Sequence, residues 1–321
     1  MKNTRTTWAL ASYAAIVLAF RVGLSRSTMG LSLGANLTPA FASFLLLLAP
    51  LWFFGFGMGA QLRDALRSHW LRIFLPALLG FPYVVFALPT GNFHWQLAVT
   101  MFMLPPALAA FLALSALPPR LCWQDGVVLA ALIATYMLRV LANAWPYTGL
   151  SSLPKLYVAD LALYLYVVVR RLEGIGYSFI PTRAALLGGL REWVYFLPFG
   201  LGLGAVLSFI HFHPHIPPAK GVAAGMLITF LLVAIPEEMF FRGILQNLLE
   251  TRSRPWIALV IAAVLFGLSH FNKGASFNWR YVLLAAIAGV FYGRAWREQR
   301  ELLASIITHT AVDVVWSLWF R

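Results

Sequence analysis

The chain has 321 residues, 61% of them hydrophobic and 11% charged, with a net charge of +13 and one cysteine, Cys122. A soluble domain carries about 25% charged residues, so the composition excludes an ordinary soluble protein and indicates a polytopic membrane protein with the lipid bilayer as its solvent. The positive balance does not indicate a nucleic-acid partner, because Lys and Arg cluster between apolar runs, and one cysteine excludes an intramolecular disulfide and a Cys-rich metal site.

A span needs about 20 mostly apolar residues. That rule predicts an all-α transmembrane bundle of about eleven spans, near residues 7–24, 38–60, 71–89, 96–117, 126–143, 154–170, 193–210, 220–249, 255–271, 279–296 and 301–319. Lys2 and Arg5 followed by Trp8 to Phe20 imitate a signal peptide. No small-x-small cleavage site precedes Arg21 and Arg26, so a retained first helix is expected. With the N-terminus in the cytoplasm, the inside loops hold Arg63, Arg67 and Arg72, then Arg120, Arg170 and Arg171, Arg252 and Arg254, and Arg294, Arg297 and Arg300. The outside loops hold Arg26, Lys273, Arg280 and little else. The positive-inside rule then expects an odd number of spans with the C-terminus outside, and a multi-pass protein of a bacterial inner or plasma membrane is expected.

Glu173 to Glu192 is the best internal boundary, with Arg183 to Glu192 expected as a short interfacial helix. It separates an N-terminal multi-span region of unknown role, residues 1–175, from a core at 176–321 whose five or so helices hold every candidate catalytic residue. In the first region Arg139 and Asp160 are expected to pair, as they fall at similar depth on successive spans.

The chemistry starts at Ala234-Ile235-Pro236-Glu237-Glu238-Met239-Phe240-Phe241-Arg242. An ionisable residue at the centre of a membrane helix costs roughly 2.5–3.5 kcal/mol on insertion scales, so three within six positions need a reason. Glu238 and Arg242 are four apart and share a helix face. Glu237 points about 100° away, free to face a substrate or water. His270 closes the next span, and His309 and Asp313, again four apart, share a face of the last one. Counted from the cytoplasmic ends at about 1.5 Å per residue, Glu237, His270 and His309 lie roughly 18–20, 23 and 12 Å deep, so tilted helices can bring them together. A carboxylate beside a water acts as general base, a His relays the proton, and a second His stabilises an oxyanion. Amide hydrolysis inside the bilayer suits these residue types.

Glu-Glu-x-x-x-Arg (Glu237, Glu238, Arg242), Phe-x-x-x-His (Phe266, His270) and His-x-x-x-Asn/Asp (His309, Asp313), in that order on successive apolar helices, resemble the CPBP family. This family comprises the Rce1-like CAAX prenyl endopeptidases and the bacteriocin-processing, or Abi, proteases. The resemblance spans roughly residues 190–321. It implies an intramembrane endopeptidase that cuts a membrane-associated protein or peptide. Carried over, Glu237 and His270 activate the water, His309 and Asp313 form the oxyanion side, and Glu238 with Arg242 braces the site. The resemblance requires no cofactor, and it leaves a divalent metal open, since the family was once classed among metallopeptidases. An ionised Asp313 cannot donate to an oxyanion, so either it is protonated or it orients His309.

Other intramembrane proteases fit less well: the chain lacks His-Glu-x-x-His, Gly-x-Ser-x-Gly and Gly-x-Gly-Asp. Two other readings stand beside the protease. Buried Glu, His and Asp are also the vocabulary of a proton-coupled transporter, but no inverted repeat is visible. An inactive scaffold is opposed by intact motifs. His211, His213 and His215 alternate after a span and are expected as a polar outer loop rather than a metal site.

Overall fold

The computed structural model describes residues 2–25, 27–271, 273 and 277–320, helical throughout with no strand among the described residues; Arg26, one of the outside cations, lies beyond them. The chain divides into two compact units, residues 1–118 with 122–171, and residues 119–121 with 172–321.

The first unit contains α1 (Thr4–Ser25), α2 (Gly30–Phe54), α3 (His69–Thr90), α4 (Trp95–Ala113), α5 (Trp123–Met137) and α6 (Thr148–Val169). In a membrane every buried polar group needs a partner, and the aromatic side chains find theirs on backbone carbonyls. Trp52 Nε1 donates to Ala9 O at 3.2 Å and Tyr157 Oη to Met101 O at 2.7 Å. Pro76 and Pro82 lack an N–H, and α3 tightens into a 3₁₀ turn over Leu75–Gly80 between them. Asp125 caps the start of α5 by accepting from Cys122 N at 3.1 Å, and it is buried in an ion pair with Arg170 at 2.9 Å. The expected pair of Arg139 with Asp160 does not form. Asp160 is buried within α6, whereas Arg139 is exposed past the end of α5 with φ 55°.

The second unit contains α7 (Arg183–Val206), α8 (Ala219–Glu250), α9 (Pro255–Leu268), α10 (Trp279–Gln299) and α11 (Leu302–Trp319). Thr182 starts α7 by accepting from Ala185 N at 3.0 Å while donating to Glu301 Oε2 at 2.8 Å. Residues 183–192 are therefore the first turns of one continuous helix rather than a separate interfacial piece. α10 packs against α7, α9 and α11. Its approach to α9 depends on glycine: a Cβ on Gly267 would fall 2.5 Å from Val282 O and 2.7 Å from Ala286 Cβ. Small residues at such crossings let membrane helices touch through their backbones.

Every predicted span falls on a helix, but the count of eleven is not confirmed. Among the described residues seven helices, α1 to α4, α6, α8 and α11, are long and apolar enough to cross a membrane. α5 and α9 have only 15 and 14 residues. α7 carries Arg191 and Glu192, and α10 carries Arg280, Arg294, Arg297 and Glu298. Part of that charge is paired internally: Glu192 is buried against Arg191 at 3.0 Å and Arg294 at 3.1 Å.

Candidate active site

The site is built on α8, which is not a uniform helix. Wide π-helical turns at Phe230–Ala234 and Met239–Gln246 flank a short α-helical stretch, Ile235–Glu238. Pro236 explains the first irregularity, because its ring has no N–H and crowds the carbonyl of the preceding turn. Such turns recur at functional sites, and here they bracket Glu237 and Glu238.

The two glutamates have opposite surroundings. Glu238 is fully buried and both its oxygens accept hydrogen bonds. Oε1 receives Arg242 Nη1 at 3.1 Å and His309 Nδ1 at 2.6 Å, and Oε2 receives the Ser305 hydroxyl. A carboxylate only accepts, so His309 Nδ1 carries the proton in that contact. Arg242, also fully buried, donates its other Nη to Gly289 O at 3.1 Å and lies over the Phe266 ring at 4.4 Å and the Tyr292 ring at 5.2 Å. Gly289 makes room for it, since a Cβ there would lie 3.1 Å from both Arg242 Nη2 and Ala263 Cα. Glu237 keeps 13% of its side chain exposed.

On α11, His309 stacks on Tyr292 with ring centroids 4.5 Å apart and planes 15° from parallel. Its Nε2 faces Asp313 Oδ2 at 3.5 Å and Glu237 Oε2 at 3.9 Å. His270, in the turn after α9, is 5% exposed, and its Nδ1 lies 2.9 Å from Phe266 O. A carbonyl also only accepts, so Nδ1 donates there and Nε2 is left as the acceptor nitrogen. Phe266 links the two histidines, with its ring 4.9 Å from His270 and 5.7 Å from His309. His270, His309 and Asp313 line one cavity of about 100 Å³ whose walls are otherwise mostly apolar and aromatic, among them Trp193, Phe196, Tyr281 and Trp316. Glu237 is not on that wall and meets it through His309.

The structure thus brings all six predicted residues into one neighbourhood. It also assigns partners that helix spacing did not. Glu238 serves His309 as well as Arg242. Ser305 and Tyr292 were absent from the sequence reading, although Ser305, His309 and Asp313 recur every four residues on one face. The predicted outer loop has no regular secondary structure, and His213 N donates to Trp319 O at 2.8 Å. No group of three or more His, Cys, Asp and Glu has a metal-holding arrangement among the described residues.

Residues 219–315, which hold every one of the six, match the family model Rce1-like, type II CAAX prenyl endopeptidase Rce1-like. No curated protein and no solved structure matches the chain.

Proposed function

We propose that this chain, whose residues 219–315 match the type II CAAX prenyl endopeptidase Rce1-like family model, is an intramembrane endopeptidase in which a glutamate activates water against a membrane-associated protein substrate. The observation that carries this reading is the division between the adjacent glutamates. Glu238 is buried with both oxygens taken, so it braces; Glu237 retains exposed surface beside His309, so it is the one that can meet a water.

In this reading Glu237 takes the proton of the attacking water. His270 Nε2, the acceptor nitrogen left by the Phe266 contact, shares or relays it. His309, with its Nδ1–H held by Glu238 and a second proton on Nε2, presents that Nε2–H to the oxyanion that forms as the water adds to the peptide carbonyl. Asp313, 3.5 Å from that nitrogen, orients the ring rather than donating itself. The proton then passes to the leaving amine. The mostly apolar walls of the cavity give these groups a low-dielectric surrounding, which strengthens each of these interactions. No step of this scheme is routed through a metal. The excess of Arg in alternate loops supports an N-terminus in the cytoplasm of a bacterial-type membrane.

The test is substitution with a check on insertion. Glu237→Ala and His270→Ala each abolish cleavage while the protein still accumulates in the membrane. Normal cleavage by either variant contradicts the mechanism.

A further inference from the structure

Ser305 stands one helical turn before His309 on α11 and is fully buried. A hydroxyl inside a membrane helix ordinarily turns back to the carbonyl four residues earlier. Thr135 does so, with Oγ1 2.8 Å from Ala131 O. Ser305 instead donates across to α8, to Glu238 Oε2. Its hydrogen bond is made to the catalytic neighbourhood rather than to its own helix.

The consequence runs through Glu238 to His309. Stacking on Tyr292 fixes the plane of the imidazole but does not distinguish its two faces, so a half-turn about Cβ–Cγ that exchanges Nδ1 with Cδ2 is left open. The choice between the two ring states is set by the 2.6 Å contact of Nδ1 with Glu238 Oε1, and that contact is what aims Nε2 at Asp313 and Glu237. Glu238 holds Oε1 in place only if its carboxylate does not rotate. Arg242 Nη1 grips Oε1 alone, so it leaves such a rotation open. Ser305 ties down the other oxygen and closes it. We propose that Ser305 is a positioning residue that fixes the Glu238 carboxylate and thereby the direction of His309 Nε2. The proposal rests on the protease reading for what Nε2 does, but its geometric part does not.

The experiment therefore has two arms on the full-length protein in detergent. The first is ¹⁵N NMR of histidine-labelled protein, with the His309 signals assigned by their loss in His309→Gln. The wild type gives a single ring state with both nitrogens protonated and Nδ1 hydrogen-bonded. In Ser305→Ala the Nδ1 signal shifts or a second ring state appears, and Ser305→Thr restores the wild-type pattern. The second arm measures kinetics on a synthetic peptide spanning a cleavage site whose use depends on Glu237. Ser305→Ala lowers kcat about tenfold, the loss expected of one hydrogen bond to a charged group, leaves KM within about twofold, and is rescued by Ser305→Thr. Unchanged His309 signals in Ser305→Ala overturn the proposal, whether or not activity falls, because a loss without a ring change is a general structural effect. If no cleavage depends on Glu237, the protease reading fails, and the NMR arm still decides whether Ser305 sets the ring.

Discussion

Glu237 and Glu238 share a sequence position in all but one step, yet removing their charges has different consequences. Glu237→Gln leaves the buried network intact. Its effect falls on chemistry, a loss of about 10²–10⁴-fold in cleavage rate, the usual contribution of a general base, with an unchanged Tm. Glu238→Gln leaves Arg242 buried opposite a neutral group. Breaking a buried pair costs about 3–5 kcal/mol, so its Tm drops sharply and activity falls with it. Asp313 gives a third contrast. If it orients His309 by accepting from Nε2, Asp313→Asn retains most activity because its carbonyl oxygen still accepts, whereas Asp313→Ala loses it; equal loss in both would contradict the orienting role. The pairing of Glu238 with Arg242 was legible in the sequence because helix geometry alone puts residues four apart together. The contact of Glu238 with His309 was not. It depends on how α8 and α11 are rotated against each other, which spacing within one helix does not specify.

At the scale of elements, the irregular turns of α8 and the glycine crossings of α10 place the site. Pro236 was visible in the sequence as a break in an apolar run, but the width of the neighbouring turns was not, since a hydrophobic run with no polar face carries no period to read. Gly267 was likewise visible only as one glycine in an apolar helix; its role becomes plain when Val282 O lies where its Cβ would stand. Gly267→Val should therefore push α9 from α10 and displace His270, three residues on. Overpacking of this kind costs about 1–3 kcal/mol. The expected outcome is a lowered Tm together with lost cleavage, and a variant with wild-type Tm would show that the crossing tolerates a larger residue. The unconfirmed count of eleven spans also belongs here. Apolar windows located the helices, but α7 and α10 carry charges that pair inside the second unit, and a window count cannot see which charges are neutralised.

At the scale of the molecule, the residues that match the family lie in the second unit, and the first has its own buried ion pair. Asp125→Ala strips the partner from Arg170 and the cap from α5. It should destabilise the first unit by about 3–5 kcal/mol, read as loss of a cooperative thermal transition. The all-helical membrane class was legible from composition, because so few charged residues cannot cover a soluble surface. The substrate was not, because a mostly apolar cavity of about 100 Å³ restricts chemistry without spelling a sequence. The most direct test of the central claim is a comparison of protein termini in membranes from cells expressing the wild type and cells expressing Glu237→Ala at equal levels. The account predicts new termini, in membrane-associated proteins, that appear only with the wild type. Identical termini in the two membranes would contradict it.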